Sequence, residues 1–245
     1  MTFEVIGFDA DDTLWQNELL YVDAQDKFKQ LLSDYVAAET VEQQLFETEM
    51  RNLPSYGYGI KSFTLSMIET AVDLTGGRIA GADVLSIIGL AREMLTAPVR
   101  LLNHTEETLR ELAMSHALMM ITKGDLLDQE SKLARSGIGD CFRHVEVVST
   151  KTPEAYAALL AKYGVAPQQF LMVGNSLKSD ILPVLALGGK AVYIPYHTTW
   201  AHETVDAPPG GQDGGPSVQS SGWYELEHLG QLPQLIERLQ HHLSG

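Results

Sequence analysis

Five short apolar runs punctuate the chain, and each stops at or just before a polar or turn residue. They are "FEVIGF" before Asp9, "HALMMIT" ending at Thr122, "HVEVVS" leading to Lys151, "QFLMVGN" ending at Asn175 and "KAVYIP" closing at Pro195. Runs of this length bounded by turn signals predict buried strands. Between them apolar residues recur at helical spacing, in "EETLRELAMS", "DLLDQESKLARSG", "TPEAYAALLAKYG" and "DILPVLALGG". Thr152 stands where it can cap the third of these, with Pro153 at the first helical position. Strands separated by helices imply right-handed crossovers and a parallel sheet covered on both faces, which is a three-layer α/β domain.

The alternation fails in one place. From about 17 to 97 four helical patterns follow one another without a strand: around 18 to 33, 40 to 53 (Val41, Leu45, Phe46, Met50, Leu53), 60 to 75 (Phe63, Met67, Ile68, Ala71, Val72) and 82 to 95 (Leu85, Ile88, Ala91, Leu95). Gly76 and Gly77 end the third helix and Pro98 ends the module. The expected organisation is therefore a discontinuous core of residues 1–16 and 98–245 with an inserted all-helical domain over 17–97. A loop, "PPGGQDGGPSVQSSG" from Pro208, and an amphipathic helix, "LPQLIERLQHHL", complete the chain.

Composition narrows the classes. A chain of 245 residues can bury one core and a satellite, and its 44% hydrophobic content is that of a globular protein. No apolar run approaches the roughly 18 residues of a spanning helix, and no basic and apolar leader opens the sequence. A soluble, cytoplasmic protein is expected, and Cys141, the one cysteine, has no partner for an intrachain disulfide. The net charge of −15 argues against nucleic acid and anionic membranes as partners, and makes any anionic substrate depend on a local positive centre.

That centre is needed at once, because Asp9, Asp11 and Asp12 crowd onto the end of the first strand. Neighbouring carboxylates repel and resist burial unless a counter-charge stands by. In an open parallel sheet, ligands bind beyond the carboxyl ends of the strands. Asp9, Thr122, Lys151, Asn175 and Asp180 all fall at that edge, so Lys151 and a bound divalent cation are the expected counter-charges.

Taken in order, "DADDT" at 9 to 13, the strand ending in Thr122, Lys151 before a helix and "GNSLKSD" ending in Asp180 resemble the four motifs of the haloacid dehalogenase superfamily. The helical insertion between the first two resembles that family's cap. The resemblance implies a Rossmann-like core and a Mg²⁺-dependent phosphatase acting on a small phosphorylated metabolite through an aspartyl-phosphate. Asp9 would be the nucleophile and Asp11 the acid that protonates the leaving oxygen and then activates water. Asp12 stands where the family often has Gly, at a turn that Asp tolerates. Thr122, with the backbone N–H groups of Lys123 and Gly124, would hold the phosphoryl oxygens, and Lys151 would offset their charge. Asp125 and Asp128 fit helix capping.

The family's acidic pair, GDxxxD, is altered here: Asn175 replaces the first acid and Asp180 lies one residue further on. The implied Mg²⁺ donors are Asp9, Asp11, Asn175 and Asp180. Pro183 places Asp180 at or beside a helix N-cap. Arg51 and Lys61, with Tyr56 and Tyr58, flank a Gly-containing connection and are candidates to bind the leaving group, while His197, Trp200 and His202 could face the site but are as well explained as a packed Trp and two surface histidines. A phosphomutase, a dehalogenase (whose branch lacks the second Asp) and a binding or regulatory module with weakened catalysis are the alternatives. The physiological substrate and the oligomeric state are not encoded in any motif.

Overall fold

The computed structural model describes residues 3–198, 200–205, 212–213 and 222–241; the loop expected from Pro208 otherwise lies outside the described residues. In chain order the elements are β1 (Val5–Phe8), α1 (Glu18–Leu31), α2 (Ala38–Tyr56), α3 (Ile60–Leu74), α4 (Gly81–Thr96), α5 (Thr105–Ala113), β2 (Ala117–Lys123), α6 (Leu126–Ser136), β3 (His144–Val148), α7 (Pro153–Tyr163), β4 (Phe170–Gly174), α8 (Leu182–Ala186), β5 (Lys190–Tyr193), β6 (Gln212–Asp213), β7 (Trp223–Glu225) and α9 (Leu232–His241). They form two compact units. One comprises Met1–Gln16, Val99–Thr122 and Lys132–Gly245, the other Asn17–Pro98 and Lys123–Ser131.

The first unit holds a sheet in the order β3-β2-β1-β4-β5-β7-β6. β1 pairs in parallel with β2 and β4, β4 with β5, and β7 with β5 and β6. The strand order reverses at β1, so a crevice opens between the carboxyl ends of β1 and β4. Period-two alternation divides the strand residues between two cores. Ile6, Phe8, Leu118, Met120, Leu171 and Val173 join Leu109, Leu112, Leu235 and Ile236 of α5 and α9 on one face. Val5, Met119, Ile121, Phe170 and Met172 join Tyr156, Leu160 and Val184 of α7 and α8 on the other. This is the three-layer arrangement the pattern implied, with β6 and β7 added beyond the fifth strand. Trp223 and Tyr224 are buried, but a three-residue strand is too short to announce itself by alternation.

Thr152 caps α7 as expected, accepting a hydrogen bond from the Ala155 N–H at 3.3 Å. Where the chain leaves and re-enters this unit it pairs with itself: the Gln16 N–H donates to Arg100 O and the Leu102 N–H to Leu14 O, both at 2.9 Å.

In the second unit α1 to α4 enclose their own core of Phe28, Leu32, Val41, Leu45, Ile60, Phe63, Met67, Ala71 and Ile87. The buried stripes differ from those expected at three positions. Phe46, Val72 and Leu85 are exposed, and α4 buries Ile87 and Met94 beside the expected Ala91. A helix with apolar residues on more than one side offers two registers, and packing chooses the one that fills the core. Among the described residues no helix is long and apolar enough to cross a membrane.

Candidate active site

The carboxyl end of β1 delivers Asp9, whose N–H continues the ladder by donating to Val173 O at 2.9 Å. The chain then folds back on itself: the Leu14 N–H reaches Ala10 O at 2.8 Å and the Asp12 N–H reaches Trp15 O at 2.7 Å. Asp12 has φ 59°, a left-handed conformation that Asp accepts more readily than most side chains. It therefore makes the turn, as the sequence implied. Thr13, a residue that motif reading passed over, donates its hydroxyl to Asp9 Oδ2 at 3.3 Å and Asn175 Oδ1 at 3.2 Å.

At the end of β4 the backbone passes through Gly174 and Asn175 into a π-type turn, Leu177–Ile181, that leads to α8. Ser176 caps it, its hydroxyl accepting the Ser179 N–H at 3.0 Å. Asp180 thus lies within this turn and directly beside Ile181, the N-cap of α8, as the position of Pro183 led one to expect. Its carboxylate folds back, Oδ2 accepting the Ser176 N–H at 3.0 Å. A Cβ on Gly174 would lie 2.2 Å from that oxygen, so only glycine leaves room for it.

Lys151 joins the two strands' carboxylates. It is buried, and its Nζ donates to Asp9 Oδ1 at 2.5 Å and Asp180 Oδ1 at 2.7 Å. Burial alone would lower the lysine's proton affinity, but the charges of Asp180 and Asp9 outweigh it and hold the ammonium above the ordinary lysine range. Asp9 is also shifted upward, but by a different cause. Burial pushes its carboxyl up to about 7; Lys151 opposes this, while Asp180 and Asp11 reinforce it. Behind this group the Tyr156 hydroxyl of α7 donates to Ser179 O at 3.2 Å.

Asp11 has its own cation. Its Oδ1 accepts from Trp15 Nε1 at 2.7 Å and from Lys132 Nζ at 2.8 Å, and both Trp15 and Lys132 are buried. Lys132 escaped the sequence reading because a lysine on an amphipathic helix is ordinarily solvated. Thr122 lies two residues past the Phe8–Met120 pair, 1% exposed, level with the carboxylates at the same sheet edge.

Other expected site residues lie in the second unit. Lys123 places its Nζ 4.3 Å above the Tyr58 ring, Gly124 has φ 136°, and Asp125 caps α6 by accepting the Asp128 N–H at 3.2 Å. Lys61 pairs with Asp125 at 3.0 Å and Arg51 with Glu69 at 2.9 Å. In the first unit the segment after β5 is fastened to the π-type turn. Glu203 Oε2 accepts from both Ser176 and Ser179 hydroxyls at 2.6 Å, and Lys178 donates to His202 O at 2.7 Å. Trp200 packs on His202 and His197 on Tyr196.

Among the described residues no group of three or more His, Cys, Asp or Glu side chains is arranged to hold a metal ion. The donors at the strand ends are of another kind: a carboxylate oxygen of Asp9 and the amide oxygen of Asn175, brought to one Thr13 hydroxyl. An all-oxygen set with an under-compensated buried carboxylate fits Mg²⁺. Asp180 has both oxygens engaged by the protein, one by Lys151 and one by Ser176 N–H.

Residues 3–188 match the family model of the haloacid dehalogenase-like hydrolases. The chain belongs to this family. Its fold is similar to the crystal structure of a haloacid dehalogenase-like family hydrolase from Xanthomonas campestris, with a TM-score of 0.85 and 37% identity over 98% of this chain and 93% of that one. A HAD-hydrolase, YfnB, from Bacillus subtilis, described as bound to magnesium, shares the fold at TM-score 0.66 and 14% identity, covering 97% of this chain and all of its own. Among curated relatives, the glyceraldehyde 3-phosphate phosphatase of Pyrococcus abyssi is 37% identical over 93 residues, 36% of this chain and 38% of that protein. The chain thus spans about a third of the length of the curated relatives it matches.

Proposed function

We propose that this hydrolase is a Mg²⁺-dependent phosphatase that cleaves a small phosphorylated metabolite through a phosphoryl group carried on Asp9. The observation that carries the reading is the pairing of two carboxylates with separate cations at one strand end: Asp9 with Lys151, Asp11 with Lys132. A dehalogenase has no leaving oxygen to protonate, whereas a phosphate monoester needs both a nucleophile and an acid. The phosphatase name of the Pyrococcus abyssi relative supports the same reading.

Asp9, Asn175 and the Asp11 backbone carbonyl would hold Mg²⁺, with Asp180 behind them. When bound, the ion supplies positive charge to the substrate's phosphoryl oxygens and keeps the nearby carboxylate ionised. Asp9 attacks phosphorus as the bond to the leaving oxygen breaks, and Asp11 gives that oxygen its proton, releasing an alcohol. Asp11 then takes a proton from water as the water oxygen bonds to phosphorus and the Asp9–phosphorus bond breaks, releasing phosphate. Lys151 offsets the charge that builds on the phosphoryl group, and Thr122 with the Lys123 and Gly124 N–H groups orients it. We assign recognition of the non-reacting part of the substrate to the helical unit, with Arg51 and Lys61 as its cationic groups. The free, buried Cys141 suits a cytoplasmic setting.

The test is turnover of p-nitrophenyl phosphate and a panel of phosphorylated metabolites headed by glyceraldehyde 3-phosphate, with Mg²⁺ and with EDTA. Mg²⁺-dependent release of phosphate that is lost in Asp9→Asn is expected. Activity indifferent to EDTA, or retained in Asp9→Asn, would reject the reading.

A further inference from the structure

We propose that Lys132, together with Trp15, is the positioning device for proton transfer by Asp11. The proposal rests on the reading of Asp11 as the acid. Lys132 lies on α6, outside every motif used above, yet its ammonium is buried and donates to Asp11 Oδ1 at 2.8 Å, the same atom that accepts from Trp15 Nε1 at 2.7 Å. A carboxylate oxygen has about two lone-pair sites. Two donors on Oδ1 fill them. The same two donors fix the plane of the carboxyl, since one comes from a fully buried indole four residues along the chain and the other from α6, distant in sequence. A flexible Asp side chain would otherwise rotate about its two bonds, and misplacement of a reacting group by about 1 Å is enough to cost about 10²-fold in rate.

A positioning role has a signature that a merely structural one lacks. Proton donation matters most when the leaving group is a poor one, and hardly at all when the departing oxygen is stable as an anion. The experiment measures kcat and KM of wild type, Lys132→Met, Lys132→Arg, Trp15→Phe and Asp11→Asn on alkyl, phenyl, p-nitrophenyl and dinitrophenyl phosphates. Lys132→Met is expected to lower kcat about 10²-fold on the alkyl phosphate and only a few-fold on the dinitrophenyl ester, with KM little changed. Lys132→Arg should restore part of the loss. Trp15→Phe, which removes one donor and keeps an aromatic core, should show the same leaving-group dependence at smaller amplitude, and it serves if Lys132→Met does not fold. A uniform loss across the series in both Lys132→Met and Trp15→Phe, beside a leaving-group-dependent loss in Asp11→Asn, would overturn the proposal and leave Asp11 as the acid. A uniform loss in Asp11→Asn as well would overturn both.

Discussion

Lys151 Nζ and Asp9 Oδ1 are in direct contact, 2.5 Å apart, between strand ends where the lysine side chain is 1% exposed. The pair is stable because Asp180 holds the same ammonium from its other side at 2.7 Å. Removing the lysine therefore strands two buried carboxylates. Lys151→Met should lower unfolding stability by about 3–5 kcal/mol near neutral pH and abolish turnover. Adding Asp180→Asn should recover part of the stability, because one uncompensated charge disappears, but none of the activity. Denaturant unfolding of the single and double variants checks this.

The amide at Asn175 shares the Thr13 hydroxyl with Asp9. Restoring a carboxylate there adds one negative charge to the oxygen donors without changing their number. Asn175→Asp should lower the Mg²⁺ concentration required for half-maximal activity, by about ten-fold. An activity titration with Mg²⁺ measures it, and an unchanged or raised requirement would remove Asn175 from the metal donors.

Glu49 of α2 offers a pH test on a residue with no assigned catalytic role. Burial pushes its carboxyl up to about 7 from 4.5, and the Glu18 charge adds to the effect. The folded protein then binds a proton more tightly than the unfolded chain, so stability falls as pH rises from about 4.5 to about 7 and stays low above that. Glu49→Gln should remove this slope and stabilise the protein at pH 8 by about 1–3 kcal/mol. Unfolding curves at several pH values distinguish this from a variant that shifts stability equally at every pH.

The parts legible in the sequence are those with a strong local signature. Strands buried on both faces are continuous apolar runs, and the polar residue that ends each run, Asp9, Thr122 or Asn175, is by construction at the ligand edge of the sheet. The pairing of Thr152 with Pro153 fixed the start of α7. Legibility ended where long-range packing decides. The register of α4 turned on whether Leu85 or Ile87 faces inward, and both are apolar. Pro183 placed Asp180 beside the N-cap of α8, but the π-type turn before that cap has no sequence signal of its own. Lys132 and Glu203 are charged residues in polar stretches, and their contacts with Asp11, Ser176 and Ser179 come from elements distant in sequence.

The central claim is that Asp9 carries the phosphoryl group, and it is tested most directly by trapping that group. Protein mixed with a turned-over phosphate ester is quenched in acid and reduced with borohydride, which converts an aspartyl-phosphate to homoserine, and the peptide containing residues 3–16 is read by mass spectrometry. The expected result is homoserine at Asp9, present in wild type and absent in Asp9→Asn. Modification at another residue, or none during active turnover, would contradict the account.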